Sequence, residues 1–187
     1  ADYNEADTFP LQLTRYYNSQ ANTSGGFGAN WSAFPAIRVA DANSLTVIRP
    51  DQKAINYTLT GSVWTPDADI PDTLIATATG YHLTTAAGDL EDYNATGKLL
   101  SITDRAGRTQ TLHYDTAGRL SSVSDANGRS LTFTHDPANR IATVTDPAGG
   151  VISYTYDAAG NLSTVTYPDG TSKTYHYADP TFPHALT

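Results

Sequence analysis

The sequence predicts an all-β chain, an antiparallel β-meander built from short hairpins, and three observations carry that expectation. First, a pattern recurs every 21 residues: Tyr93, Tyr114, His135, Tyr156 and Tyr177 are evenly spaced. Second, turn signals of the type Asp-x-x-Gly punctuate each unit. Third, the runs between turns alternate apolar and polar residues with period two, and no window shows helical periodicity.

The elements follow in chain order. Residues 1–43 form a lead-in unlike the rest. Within it, FPLQLTRYYNS (Phe9 to Ser19) is a strand candidate, ANTSGGFGANW (Ala21 to Trp31) a glycine-rich loop, and WSAFPAIRVAD (Trp31 to Asp41) a run of apolar anchors. Residues 44–92 read as worn hairpins. RPDQKAINYTL (Arg49 to Leu59) parallels YPDGTSKTYHY (Tyr167 to Tyr177), and GYHLTTAAGDLEDY (Gly80 to Tyr93) turns at Ala87-Gly88.

Residues 93–177 hold the repeats proper. The residue after each ladder aromatic runs Asn94, Asp115, Asp136, Asp157, then lapses to Ala178. A glycine follows at Gly97, Gly118 and Gly160, with Asn139 in the same register; a second glycine recurs at Gly107, Gly128, Gly149 and Gly170. An Asp at the first turn position bonds its side chain to backbone N–H groups further on. Gly, or Asn as the next most tolerant residue, accepts the left-handed φ that closes a type I turn with a bulge.

In the second arm of each unit, Leu131, Phe133 and His135 share one face, as do Ile152, Tyr154 and Tyr156, while Thr132 and Thr134 point the other way. This predicts about eight strands over residues 98–177, with an aromatic ladder on one side and hydroxyls on the other. The ladder rings are expected to pack across strands. In the first arm Leu120 and Val123 differ in parity, which predicts a bend or bulge there. Residues 178–187 form a tail.

Composition narrows the function. The 187 residues suffice for one substantial domain, or a domain plus a lead-in. Net charge is −8 with 11 scattered Lys and Arg, which argues against nucleic acid and against anionic membrane surfaces, since both need a clustered basic face. With no Cys, disulfides, thiol catalysis and zinc–thiolate sites are excluded. With no Met, Ala1 is not a translation start, so a processed product or a piece of something larger is expected. No apolar run is long enough for a membrane span.

YDTAGRLSSVSDANGR (Tyr114 to Arg129) and YDAAGNLSTVTYPDGT (Tyr156 to Thr171) resemble the repeat of the rearrangement-hotspot (Rhs), or YD-repeat, family. PLQLTRYYNS (Pro10 to Ser19) with the glycine-rich turn and Trp31 resembles the segment that opens the repeat region in bacterial members, and PHALT (Pro183 to Thr187) the end of one such stretch. The resemblance implies a curved, spiralling sheet, a segment of a hollow β-shell that in polymorphic toxins encloses a cleaved effector. The acidic protease core that processes such proteins has no counterpart in this sequence, and too few repeats are present to close a cavity.

No catalytic, cofactor-binding or metal-binding residue is predicted, and no cofactor. Of the histidines His82, His113, His135, His176 and His184, His113 and His176 share a register three repeats apart, beyond ligand distance. Asp67, Asp69 and Asp72 lack the glycine and bidentate glutamate of a calcium loop, so a polar turn beside Trp64 is expected. Asn-x-Ser/Thr occurs at Asn22, Asn30, Asn56, Asn94 and Asn161 in a chain rich in Ser and Thr.

The functional expectation is therefore a non-enzymatic structural scaffold, secreted or on the surface of a bacterium, with toxin cargo in a parent protein. Its predicted partners are other repeats, of the same chain or of identical chains, meeting through sheet edges. Two alternatives stand beside it. One is a self-assembling extracellular filament joined head to tail through those edges. The other is a carbohydrate-binding module using the tyrosine rows.

Overall fold

A computed structural model describes residues 1–21 and 24–187. It is all-β: every element is a strand, and every pairing is antiparallel. The lead-in contributes six two-residue strands, β1 (Tyr3–Asn4), β2 (Gln12–Leu13), β3 (Tyr16–Tyr17), β4 (Ser24–Gly25), β5 (Gly28–Ala29) and β6 (Trp31–Ser32). A four-stranded sheet follows, from β7 (Ala36–Asp41), β8 (Ser44–Ile48), β9 (Ala54–Thr60) and β10 (Val63–Pro66).

The third part is an 11-stranded meander in sequential order. It begins with β11 (Thr73–Ala76), β12 (Gly80–Thr84), β13 (Leu90–Asn94) and β14 (Leu99–Thr103). The central strands are β15 (Thr109–Tyr114), β16 (Leu120–Ser124), β17 (Ser130–His135) and β18 (Ile141–Thr145). It ends with β19 (Val151–Tyr156), β20 (Leu162–Thr166) and β21 (Ser172–Thr174). Eight of these strands, β14 to β21, lie within residues 98–177, as the repeat spacing predicts.

The turns led by Asn94, Asp104, Asp115, Asp125, Asp136, Asp146 and Asp157 close by one pattern. At Asp104 the carboxylate Oδ1 accepts the N–H groups of Ala106 and Arg108, both at 2.9 Å. The Gly107 N–H donates to the Asp104 carbonyl at 2.9 Å, and Gly107 takes φ 81°. This is a type I turn followed by a left-handed residue. Asn139 takes that conformation at φ 64°, as its place in the glycine register predicts. The hairpin at Ala87-Gly88 closes in the same way, Gly88 donating to Thr85. Gln52 fills the left-handed position of the Arg49 turn at φ 68°.

The bulge falls where the parity of Leu120 and Val123 places it. His113 pairs with Ser122 and Tyr114 with Leu120, so Ser121 is the extra residue, and its hydroxyl donates to the His113 carbonyl at 3.0 Å. Leu100, Ala142 and Ser163 are skipped at the same step of the other units. One face of the sheet is apolar and buried, with Leu112, Val123, Leu131, Phe133, Val144, Ile152, Tyr154 and Val165. Thr132, Thr134 and Thr155 point to solvent.

The four-stranded sheet has its own alternation, burying Leu45, Val47, Ile55, Tyr57 and Trp64. It meets the first repeat turn through its first strand. The Ile37 N–H donates to the Gly97 carbonyl at 2.8 Å, so β7 runs against the first repeat turn. Gly97 is required there, because a Cβ would lie 1.8 Å from the Ile37 carbonyl oxygen.

The lead-in departs from expectation. Phe9 to Ser19 is not one strand but β2 and β3, broken at Thr14-Arg15, because β2 pairs with β1 and β3 with β6. The break turns the Arg15 side chain inward. The glycine-rich stretch is likewise more ordered than a loop, since β4 and β5 pair within it.

Candidate functional site

The apolar face of the meander is covered by the lead-in along a continuous seam. Its centre is a buried ion pair. The β1–β2 pairing, with the Asp2 N–H donating to the Leu13 carbonyl at 2.7 Å, brings Asp2 beside Arg15. Arg15 Nη2 donates to Asp2 Oδ1 at 3.0 Å, and Nε lies against Oδ2; the two side chains are 3% and 5% exposed. Burying two charges is costly unless their remaining valences are filled. The repeats fill most of them. Tyr154 and Tyr167 donate their hydroxyls to Asp2 at 2.8 and 3.2 Å, and Arg15 donates to the Tyr175 hydroxyl at 3.2 Å.

Rings complete the shell. The guanidinium lies 4.8 Å from the Trp31 ring centroid, 5.4 Å from Tyr154, 5.7 Å from Tyr175 and 5.8 Å from Phe27. Such contacts gain strength when desolvated. Burial alone would raise the Asp2 carboxyl, but the Arg15 hydrogen bond and charge, with the two tyrosine hydroxyls, outweigh it and hold it below the usual carboxylate range. Burial and then the Asp2 charge push the Tyr154 phenol far above its ordinary value.

Further contacts run the length of the seam. Phe27 meets Tyr154 edge to face at 5.1 Å, Trp31 meets Tyr175 at 5.1 Å, and Phe34 meets Phe133 at 6.5 Å. The Ile141 N–H donates to the Gly26 carbonyl at 2.7 Å, and Ala29 donates to Gly160. Trp31 Nε1 donates to the Tyr177 hydroxyl at 3.0 Å. At the rim, Arg129 joins Glu5 at 2.7 Å and Asp7 at 3.1 Å, and Gln110 donates to the Pro10 carbonyl at 2.8 Å. The tail docks on the same seam: Tyr17 donates to the His184 carbonyl at 2.7 Å, and Asn161 to that of Pro183 at 3.0 Å.

A second, partly buried pair ties the four-stranded sheet to the meander. Arg49 donates twice to Glu91, at 2.8 and 2.9 Å, and Tyr93 donates to Glu91 Oε2 at 2.6 Å. Burial, then the Glu91 charge, pushes the Tyr93 phenol far up.

Among the described residues the ring–ring contacts of this face are made with the lead-in, by Phe133, Tyr154 and Tyr175, while across strands Tyr154 pairs with Val165 and Tyr156 with Leu162. Equivalent residues are two strands apart, about 9.6 Å, beyond the ~4.5–7 Å at which rings pair. In the tyrosine row Tyr154 is 4% exposed, while Tyr114, Tyr156, Tyr175 and Tyr177 are half-buried. Between repeats the ladder tyrosines work through their hydroxyls: Tyr114 donates to the Leu99 carbonyl at 2.7 Å and Tyr156 to that of Ile141 at 2.6 Å.

The other candidates stay apart. Asp67 accepts from the Asn56 N–H within β9 at 2.8 Å while Asp72 accepts from the Ala86 N–H in the turn after β12 at 2.8 Å, so the acidic cluster serves two separate places. His82 bonds Asp92, His113 bonds Ser124, and His184 bonds Asn161. Among the described residues no group of three or more His, Asp or Glu is placed to hold a metal ion. Of the Asn-x-Ser/Thr positions, Asn30 and Asn161 are 7% and 1% exposed, closed to a glycan in the folded chain. Asn22 lies outside the described residues.

Sequence reasoning missed one device in the turns. In four of them the leading Asp also clasps an arginine four residues on: Arg108, Arg119, Arg129 and Arg140 each donate Nε to their Asp at 2.7–2.8 Å. The signal is the spacing Asp-x-x-Gly/Asn-Arg at residues 104–108, 115–119, 125–129 and 136–140. Arg15, by contrast, has no sequence signal.

Comparison with known families bears on this geometry. The RHS Repeat family matches residues 93–130, 114–151, 135–172 and 156–181, the same register that the hydroxyl-to-carbonyl bonds follow. Residues 93–181 belong to the RHS repeat family. A domain of unknown function (DUF6531) matches residues 1–57, which include the lead-in. No curated protein matches the chain.

Among solved structures, this RHS repeat chain is similar to TcdB2-TccC3 without its hypervariable C-terminal region. The identity is 20% and the TM-score 0.39, over 73% of this chain and 9% of that one. A Photorhabdus luminescens Tc holotoxin pore gives 16% identity and a TM-score of 0.38, over 73% of this chain and 8% of the other. The chain thus spans less than a tenth of the length of either.

Proposed function

We propose that this RHS repeat chain is a non-enzymatic scaffold, the opening stretch of a repeat wall whose lead-in is folded against the wall's apolar face. The division into lead-in 1–43, worn hairpins 44–92, repeats 93–177 and tail 178–187 belongs to this reading, as does a structural role for the ladder and turn positions. The observation that carries it is the seam around Arg15 and Asp2. Charge, rings and hydroxyls there are spent on one another, and the tyrosine row faces its own chain. In a longer protein carrying this stretch, the wall would continue beyond β21 and enclose a toxin, and that protein would act outside a bacterial cell or at its surface.

Limited proteolysis tests the reading. In such a protein the enclosed segment should resist protease until the seam is opened by Arg15→Met, and then be cut. Equal cutting before and after would overturn enclosure.

One observation favours a second reading for the isolated chain. Strand β21 is exposed along Ser172, Lys173 and Thr174 and pairs only with β20, leaving an edge open to another strand. A second copy placed there head to tail would propagate as a filament. Electron microscopy at high concentration would show uniform thin fibres; a monodisperse monomer in sedimentation would end the idea.

A further inference from the structure

One ladder position is built for a phenol it does not have. At Tyr114 the phenol donates to the Leu99 carbonyl, and Lys98 Nζ lies 5.1 Å from the ring centroid. At Tyr156 the phenol donates to the Ile141 carbonyl, and the Arg140 guanidinium lies 4.2 Å away. The rule is a carbonyl 15 residues back and a cation 16 residues back. At position 135 the rule supplies Leu120 and Arg119, but the ladder residue is His135, whose shorter side chain carries no hydroxyl.

The space shows it. Leu99, Ile141 and Leu162 are 1%, 4% and 0% exposed, whereas Leu120, in the same register, is only half-buried. A cavity of about 380 Å³ opens there, with Arg119, Leu120 and His135 in its wall beside Tyr114 and, from the lead-in, Phe27 and Phe34. That volume is in the range of small-ligand sites, which are mostly apolar with a few placed polar groups. Burial, then the Arg119 charge, keeps the His135 imidazole below its ordinary value, so at neutral pH the wall presents a neutral ring.

We propose that this cavity binds a p-hydroxyphenyl group, its ring against Arg119 and its hydroxyl donating to the Leu120 carbonyl or the His135 imidazole. The group would arrive as a small phenol or as the side chain of a tyrosine. The site stands independently of the scaffold reading.

The test uses the full chain with p-cresol, N-acetyltyrosinamide and toluene as probes, followed by the NMR shifts of the His135 ring. The wild type should show saturable shifts with p-cresol at millimolar concentration, and shifts at least fivefold weaker with toluene, which has the shape without the hydroxyl. His135→Tyr, which supplies the missing phenol, should melt higher and bind p-cresol at least tenfold more weakly, read for this variant from Leu120 methyl shifts. If that chain does not fold, Leu120→Phe closes the same space from another wall and should abolish binding. Binding of N-acetyltyrosinamide as well as p-cresol supports the site and admits tyrosine side chains; binding of p-cresol alone supports it for small phenols. No saturable shift with p-cresol, equal affinity for toluene, or undiminished binding in the filled variant overturns the proposal.

Discussion

The repeats and the lead-in are stabilised in opposite ways. A repeat turn is self-contained: Asp125 accepts the N–H groups of Asn127 and Arg129, clasps the Arg129 side chain, and Gly128 closes the loop, all within five residues. The lead-in has almost nothing of the kind. Its strands are two residues long, and its anchors reach partners more than a hundred residues away, as Arg15 does to Tyr175 and Trp31 to Tyr177. One region tolerates local damage because each unit closes on itself. The other is only as secure as its few distant contacts.

The sharpest way to break that contrast is Arg15→Met. It leaves Asp2 buried without its cation, and the expected loss is about 3–5 kcal/mol in denaturant unfolding. If the lead-in were held by many equivalent contacts, the loss would be below about 1 kcal/mol. Acid probes the same pair. Because Asp2 titrates below its unfolded value of 3.8, its contribution is complete above that pH and disappears as pH falls through the lower folded value. Stability followed from pH 6 to pH 2 should therefore fall less steeply in Asp2→Asn than in the wild type.

Next in size is Gly97→Val, where the left-handed φ of 82° and the Ile37 carbonyl both exclude a side chain. A loss of about 3 kcal/mol or more is expected, seen as a lower midpoint with the slope retained. Gly118→Val should cost less, about 2 kcal/mol, because its Cβ would meet the mobile end of Lys98 and not backbone. The smallest effect belongs to Gly128→Ala, where φ is 79° but no atom lies within 4 Å. About 1 kcal/mol of backbone strain is the whole expected loss. Equal losses at Gly97 and Gly128 would show that the turns, and not the junction with β7, set the cost.

What the sequence made legible follows the same divide. The meander, the turn type, Asn139 as a left-handed residue and the bulge beside Leu120 all rest on interactions between residues close in the chain, so period and parity reveal them. The Asp–Arg clasp was equally local and could have been read from its spacing. The seam could not. Nothing near Arg15 in sequence marks it as buried, since the tyrosines that satisfy it and its partner stand beyond position 150. The ladder itself was visible as a row, but its partners were not, because the lead-in that covers it shares no period with it. The single strand expected over Phe9 to Ser19 failed for that reason: its breaking point is set by a distant pocket and not by its own alternation.

The bulges have a consequence for size. Each adds one residue to the same arm at the same step of the 21-residue unit, after Leu99, Leu120, Ile141 and Leu162. A bulge bends its strand and increases local twist, and kinks of one sense accumulate where alternating ones would cancel. The array therefore measures arc by copy number: inserting or deleting one cassette would lengthen or shorten the sweep of the ribbon while leaving the contacts within each remaining cassette as they were.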